Sequence, residues 1–308
     1  MSQISADGQP SRAIAAVRIV LVSPAGPLNI GSIARVMKNF GLSQLYLVAP
    51  QCDPLGPEAL QMAVHADDIL RSAQIVKTIP EALAGCKHAI ATTARVRGFN
   101  APLQSPETAL PNLLTPDNAA TALIFGPEDR GLSNEELTYA QTFTKISTTA
   151  AYSALNLAQA VAVCCYELSR VTQSPNSKET KRKDPHESDR QDAHPTGDTG
   201  LAMQNNALQN SPSSAKQTES DHQNRPQNRA TLNELEGYYQ HLETVLLKVE
   251  YLYPHTAASR MRKFRQLLNR AVPTSNEVAL IRGMLRQVEW AISRQDQPQH
   301  TAQHPNKD

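Results

Sequence analysis

The sequence has few of the residues that build metal centres, disulfide frameworks or membrane spans. It contains four cysteines in 308 residues, and two of them, Cys164 and Cys165, are adjacent. Because adjacent cysteines suit neither a zinc knuckle nor an ordinary disulfide, we expect free thiols and no metal. No apolar run is long enough to cross a bilayer, and the opening MSQISADGQPSR has no apolar signal-peptide core. These features predict a cytoplasmic protein that has no membrane partner.

Several common catalytic and nucleotide-binding patterns are missing as well. The chain has neither a G-x-G-x-x-G dinucleotide loop nor a P-loop, and it has no strong Ser-His-Asp pattern. His65 and His88 are isolated in sequence, which is more typical of surface or satisfied histidines than of ligands or bases. The formal net charge is only +1, so any nucleic-acid binding depends on local basic patches.

Composition divides the chain into three zones. Residues 16–171 alternate short apolar runs with amphipathic stretches, whereas residues 172–230 are nearly free of large apolar side chains. Because so polar a segment cannot offset its ordering entropy by burial, we expect a flexible linker there. Residues 231–294 have helical periodicity and predict a small helical domain, and we expect disorder at 1–15 and 295–308.

The first zone alternates strand and helix patterns. An apolar helix stripe of Ile30, Ile33, Ala34 and Met37 follows the first strand and ends at Gly41. This alternation predicts an α/β fold with a largely parallel sheet that is covered on both faces. The strand candidates are 17–22, 45–48, 75–79, 89–92 and 123–125, with a further one near Ile146.

Two short segments place small or polar residues after a strand, where α/β proteins gather ligands. In the first, Asn29 is positioned to cap a helix, Gly31 permits close approach of another backbone, and Arg35 lies on the first helical turns. The second, 91–95, has small residues that leave room for a ligand. An ordinary capped helix explains the first segment equally well, and a plain strand exit explains the second better.

Two later segments combine small residues with polar side chains. Residues 123–133 run from an apolar strand through Gly-Pro to two acids, an arginine and a second glycine, with Ser133 as cap of a helix starting near Asn134. Residues 146–161 lead from a polar loop into an apolar helix containing Asn156, whose amide needs a backbone or ligand partner. A simple loop and a satisfied structural asparagine are the alternatives.

Together, the four segments resemble the SPOUT superfamily of RNA methyltransferases, in particular its TrmH-like group. The similarity covers about 16–171 and continues more weakly at 232–237 and 279–283, with the polar linker as an insertion. The residues that carry it are N-I-G-S-I-A-R (29–35), T-T-A-R (92–95), I-F-G-P-E-D-R-G-L-S-N-E-E-L (124–137) and Y-S-A-L-N-L-A-Q-A-V (152–161).

The resemblance implies a parallel-sheet domain with a C-terminal trefoil knot, followed by a small α-helical domain. It also implies a homodimer whose active site is shared between subunits, and loops that bind S-adenosylmethionine. The cofactor-binding positions it implies are Thr92, Thr93, Ala94, Gly126, Glu128, Gly131, Ile146, Ser153, Ala154 and Leu155.

The resemblance also implies roles in catalysis and in RNA binding. Ala154 departs from the family, which usually has serine before Leu-Asn, so Ser153 is the candidate to replace that hydroxyl. The implied catalytic residues are Arg35, Asn29, Ser153, Asn156 and Glu128. The RNA-binding candidates are Arg35, Arg95, Arg260, Arg262, Lys263 and Arg265, and the last four form a solvated helix face in the alternative interpretation.

The function implied is 2′-O-ribose methylation of tRNA. Within the TrmH-like group, the sequence resembles bacterial enzymes that act on cytidine or uridine at nucleotide 32 of the anticodon loop. Two alternatives stay open at this point: a ribosomal RNA 2′-O-methyltransferase of the same fold, and a non-catalytic RNA-binding protein with a degenerate site. A generic nucleotide-binding α/β domain ranks third, because the glycine loop is missing.

Overall fold

The computed structural model describes most of the first and last zones. Arg95, Ser153, nearly all of the predicted linker, and residues 1–11 and 296–308 of the two ends lie outside the described residues. Disorder was expected through residue 15, but Arg12–Ala15 is a short helix, because Ile14 packs into an apolar core. The described residues are 12–94, 102–149, 151–152, 154–173 and 229–295.

The centre of the fold is a seven-stranded sheet with the order β3-β2-β1-β6-β4-β7-β5. Each pair of neighbouring strands is parallel, which confirms the predicted α/β class. The predicted trefoil knot concerns the threading of the chain and stays a prediction. The strands are β1 Val17–Val22, β2 Gln44–Val48, β3 Gln74–Val76, β4 His88–Thr92, β5 Leu103–Gln104, β6 Thr121–Phe125 and β7 Thr142–Thr144.

Helices cover both faces of this sheet. Short 3-10 helices, Leu110–Leu113 and Glu136–Tyr139, supplement the α-helices. The α-helices are α1 Arg12–Ala15, α2 Pro27–Asn39, α3 Pro57–Ala63, α4 Asp67–Ser72, α5 Ile79–Ala82, α6 Pro106–Ala109, α7 Leu157–Gln173, α8 Leu232–Lys248, α9 Pro254–Ala271 and α10 Ser275–Gln295.

Two apolar cores lie on the two faces of the sheet. On β1, Ile19 and Leu21 belong to the core that α2, α3, α4 and α7 complete. Val20 and Val22 alternate with them and belong to the core completed by α5 and helices α8 to α10. Successive residues of a strand point to opposite faces, so a strand buried on both faces reads as a continuous apolar run.

The C-terminal helices share a core with the sheet. The described residues of the first and last zones therefore form one compact unit. The domain boundaries at 171 and 231 stay a prediction. Among the described residues, no helix is long and apolar enough to cross a membrane, and no cluster of metal-binding side chains occurs.

Some predicted elements differ from those observed. The strand expected at 75–79 ends at Val76, because the Thr78 side chain accepts a hydrogen bond from the Glu81 backbone and caps α5. The strand expected near Ile146 ends two residues earlier, as β7. The helix expected from Asn134 is the short 3-10 helix Glu136–Tyr139. Strand β5 has two residues, which is too short for a periodic signal.

Candidate active site

A cavity of about 640 Å³ opens at the carboxyl ends of β4 and β6. Residues from the ends of both strands line it, together with the segments that follow β6 and β7. Nine of the ten predicted cofactor-binding residues lie on its wall, and the tenth, Ser153, lies outside the described residues. These nine are Thr92, Thr93, Ala94, Gly126, Glu128, Gly131, Ile146, Ala154 and Leu155.

The wall after β6 is a tightly folded loop that requires glycine. A Cβ at Gly126 would lie 2.3 Å from both the carbonyl carbon of Gly131 and the nitrogen of Leu132. Gly131 itself has a φ of +68°, which favours glycine, and its amide donates to the Pro127 carbonyl over 2.9 Å. The loop therefore closes on itself, and its own backbone fills the space that a side chain at position 126 would need.

The Glu128 carboxylate binds the start of α2. It accepts hydrogen bonds from the backbone amides of Ala25 at 3.2 Å and Gly26 at 3.1 Å, and from Asn29 Nδ2 at 2.9 Å. Partial burial works to raise the pKa of Glu128, but these hydrogen bonds outweigh burial and lower its pKa below the usual range. An ionised carboxylate also suits the positive end of a helix, where backbone N–H groups lack partners.

Asn29 does not cap α2, contrary to the sequence prediction. Gly26 occupies the N-cap and Pro27 the first helical turn, so Asn29 lies inside the helix. Its side chain is thereby free to bridge: Nδ2 donates to Glu128, and Oδ1 accepts from Asn156 Nδ2 over 3.0 Å. Proline favours the first turn of a helix because its missing N–H has no partner there, and this moves the helix start two residues ahead of Asn29.

Asn156 has the backbone partners that the sequence indicated, but it is exposed and lies before the helix. Its Oδ1 accepts from the amides of Ala158 at 2.9 Å and Gln159 at 3.4 Å, which caps α7. Its Nδ2 reaches Asn29. We name Asn29, Glu128 and Asn156 the Asn-Glu-Asn network. The structure brings these three predicted catalytic residues together.

The predicted basic residues do not all reach the cavity. Arg35 is exposed on α2, does not line the cavity, and has no hydrogen bond or ion pair within the described residues. Arg95 lies outside those residues. On α9, Arg260 is exposed and donates to the Tyr251 carbonyl over 2.9 Å, and Arg262 and Lys263 are partly or fully exposed.

Arg265 is the predicted RNA contact that the structure contradicts. Its guanidinium makes two hydrogen bonds with the Glu236 carboxylate, at 2.6 and 2.9 Å, and both side chains are largely buried. The rings of Tyr139 and Tyr239 lie 5.3 and 4.4 Å from it. A guanidinium occupied in this way is not offered to an external phosphate. Basic and apolar residues alternate along α9, and this sequence pattern does not distinguish Arg265 from its exposed neighbours.

The sequence interpretation also missed an ion pair at the cavity. Arg130 lines the cavity and binds Glu136 through two hydrogen bonds of 2.8 and 2.9 Å. The two residues are six positions apart, a spacing at which neither a helix nor a strand brings side chains into contact. The loop folds back and brings the two side chains together. In the sequence, only Gly126 and Gly131 indicated a tight turn at this point.

Comparisons with known proteins agree in fold and in the order of the two folded parts. The SpoU rRNA Methylase family matches residues 16–166, and the family of the C-terminal domain of tRNA methyltransferase TrmJ matches residues 233–300. The tRNA (cytidine/uridine-2′-O-)-methyltransferase TrmJ of Klebsiella pneumoniae is 35% identical over 274 residues, which are 89% of this chain and 96% of that protein.

Two solved structures are similar as well. The crystal structure of TrmJ from Z. mobilis ZM4 is 30% identical with a TM-score of 0.65, and the match covers 88% of this chain and 98% of that one. A putative methylase family protein from Neisseria gonorrhoeae is 39% identical with a TM-score of 0.50, over 54% of this chain and 86% of that one.

Proposed function

The chain belongs to the TrmJ family of tRNA (cytidine/uridine-2′-O-)-methyltransferases, and we propose on this premise that it methylates a ribose 2′-oxygen of tRNA. The observation that carries the proposal is the cavity at the ends of β4 and β6, with the Asn-Glu-Asn network beside it. A tRNA substrate is consistent with a cytoplasmic protein. We keep 16–171 as the methyltransferase domain and 231–294 as the C-terminal domain.

The cavity fits S-adenosylmethionine, which supplies an activated methyl group when bound. A volume of about 640 Å³ lies within the range of small-molecule sites. Leu155 offers exposed apolar surface, and the backbone of the tight loop at Gly126 and Gly131 forms part of the wall. Thr92, Thr93 and Ala94 add small side chains that leave space.

The Asn-Glu-Asn network positions the site rather than moving protons. Glu128 already accepts three hydrogen bonds, and its lowered pKa makes it a weak base at neutral pH. Asn29 uses both ends of its amide, one for Glu128 and one for Asn156. The network therefore fixes the relative positions of the β1–α2 loop, the β6 loop and the start of α7, and in-line attack by a ribose oxygen needs that rigidity.

Arg35 is the residue we assign to the RNA backbone beside the reacting ribose. A guanidinium barely deprotonates, so it is a poor general base but a good bidentate partner for phosphate. Its exposure and its lack of a partner among the described residues leave it available. In this mechanism Arg35 clamps the phosphate and orients the hydroxyl, while phosphate or water accepts the proton. Near-native turnover of Arg35→Lys would exclude the bidentate clamp.

A homodimer explains how Arg35 serves a cavity whose wall it does not line. The exposed side of α2 carries Leu28, which is 50% accessible, and neighbouring α7 carries Tyr166, which is 51% accessible. Val163, which is 37% accessible, lies one turn before Tyr166 on α7, and grouped exposed apolar side chains mark protein–protein interfaces. We assign this face to a second copy of the chain, which brings its own α2 to the cavity.

We assign the methylation to cytidine or uridine at nucleotide 32 of the anticodon loop. The alternative substrate is ribosomal RNA, because the family that matches residues 16–166 is named as an rRNA methylase. Purified protein with S-adenosylmethionine is offered either tRNA or ribosomal RNA, and the digested nucleosides are analysed by mass spectrometry. We expect 2′-O-methylated cytidine or uridine from tRNA alone. Methylation of ribosomal RNA alone supports the alternative. If the protein binds no S-adenosylmethionine at millimolar concentration, the result supports a degenerate site. The observation behind that alternative is Ala154, which stands where the family usually has serine.

A further inference from the structure

The loop that walls the cavity is held at its far end by Glu136. The Glu136 carboxylate pairs with Arg130 and also accepts from the Ser133 amide over 2.6 Å. In return, the Glu136 amide donates to Ser133 Oγ over 3.2 Å. Because Glu136 is the first residue of the 3-10 helix Glu136–Tyr139, the position of that helix sets the position of the loop.

The other end of the same 3-10 helix is held by α9. Asn269 Nδ2 donates to the carbonyl oxygens of Thr138 at 3.4 Å and Ala140 at 3.3 Å. The Tyr239 hydroxyl donates to Asn269 Oδ1 over 3.1 Å, which orients the amide for these contacts. Beside them, the Arg265 guanidinium lies against the Tyr139 ring.

A 3-10 helix of four residues has too few internal hydrogen bonds to be rigid by itself. Thr138 and Ala140 are buried, so carbonyl groups without a partner would be costly at this end. Asn269 supplies that partner. The short helix is therefore a link with one end in the cavity loop and the other in the C-terminal helices.

From this geometry we propose that Asn269 is a positioning residue for the methyl-donor pocket, acting through the 3-10 helix on the loop 126–133. The inference rests on the proposed function, because it takes the cavity to be the cofactor site. Helix α9 also carries the exposed residues Arg260 and Lys263 assigned to RNA. Any coupling between RNA on α9 and cofactor in the cavity is equal in both directions.

The test compares Asn269→Ala with Asn276→Ala, which makes the same chemical change at an exposed position of α10 with no hydrogen bond among the described residues. Calorimetry measures the Kd for S-adenosylmethionine without RNA. We expect Asn269→Ala to raise the Kd about threefold to tenfold, a size typical of coupling residues, and Asn276→Ala to leave it unchanged. Tyr239→Phe removes only the hydroxyl that donates to Asn269 Oδ1, which is a smaller structural change, and it should also raise the Kd.

A double variant separates positioning from a general loss of stability. In a Glu136→Ala background the loop loses its hydrogen bonds from Arg130 and from the Ser133 amide to the Glu136 carboxylate, so Asn269→Ala should raise the Kd by less than it does in the wild type. In cofactor-free protein, hydrogen exchange at the Gly131 and Ser133 amides should be faster in Asn269→Ala than in the wild type. A wild-type Kd in Asn269→Ala, or additive effects in the double variant, would overturn the inference. A wild-type protein that binds no S-adenosylmethionine would instead overturn the proposed function.

Discussion

The side-chain amide of Asn156 donates a hydrogen bond to that of Asn29 over 3.0 Å, although 127 positions separate the two residues. Asn29 in turn donates to Glu128 over 2.9 Å. The start of α7, the first turn of α2 and the loop after β6 are thereby fixed to one another. Sites of this kind depend on tertiary folding, because no single segment contains more than one of the three side chains.

The tight loop at Gly126 gives the first prediction. A Cβ there would lie 2.3 Å from backbone atoms of Gly131 and Leu132, so Gly126→Ala forces the cavity wall to move. We expect cofactor affinity to fall at least about tenfold, since the change lies in the wall itself. Gly237→Ala on α8 is the control: its Cβ would meet the Arg282 side chain at an ordinary 3.6 Å. Equal cofactor affinities of the two variants, measured by calorimetry, would contradict the assignment of the cavity.

The second prediction concerns the ionisation of Glu128. Burial favours a higher pKa, but hydrogen bonds from Asn29 and two backbone amides lower it. A lowered pKa in the folded protein means that ionised Glu128 stabilises the fold above its unfolded-state pKa, and that this contribution disappears as the pH falls through the folded-state pKa. We therefore expect Glu128→Gln to be less stable than the wild type at pH 7, with the difference shrinking below about pH 4.

Urea denaturation at several pH values measures this difference in the free energy of unfolding. Glu58→Gln is the matched control, because Glu58 is an exposed glutamate of α3 without a hydrogen bond among the described residues. A stability difference for Glu128→Gln that is constant from pH 7 to about pH 3 would show that the carboxylate charge does not hold the network.

The sequence was sufficient for most strands of the sheet, for physical reasons, whereas the residues of the cavity wall came from the resemblance to a known family. Continuous apolar runs identify strands buried on both faces, as for β1 and β6. Glycine at 126 and 131 indicated a special loop, although not which atoms it brings together. The Asn29 bridge was mistaken for a cap because Pro27 starts α2 earlier. The burial of Arg265 depends on Glu236 and two tyrosine rings that lie far apart in sequence.

The third prediction tests whether the active site is shared between two copies of the chain. Arg35→Ala retains the cavity, and Gly126→Ala retains Arg35. The assay uses a cofactor concentration that fills the wild-type cavity but not the cavity of Gly126→Ala. If Arg35 acts on the partner's cavity, mixing the two variants then restores one of the two sites in each mixed dimer. Random exchange of subunits then gives about one quarter of wild-type activity. If Arg35 acts within its own subunit, the mixture stays inactive, and a monomer in solution would also contradict the proposal.

The fourth prediction concerns the exposed basic residues of α9. Changing Arg260, Arg262 and Lys263 to glutamine should weaken tRNA affinity about tenfold and make it less sensitive to salt, because fewer phosphate contacts release counterions. Arg71→Gln is a control on α4, where Arg71 pairs with Asp67. If the tRNA affinity of the triple variant and its dependence on salt concentration are both unchanged, these residues form a solvated helix face and do not bind RNA.

Transfer of a methyl group to a ribose oxygen of tRNA is the reaction on which the other assignments depend. Mass spectrometry of tRNA from cells with and without the protein tests it most directly, with fragments mapped to their positions in the anticodon loop. The account predicts that 2′-O-methylated cytidine or uridine at nucleotide 32 disappears without the protein and returns with the wild type, but not with Gly126→Ala. Identical ribose methylation of tRNA in both kinds of cell would contradict it.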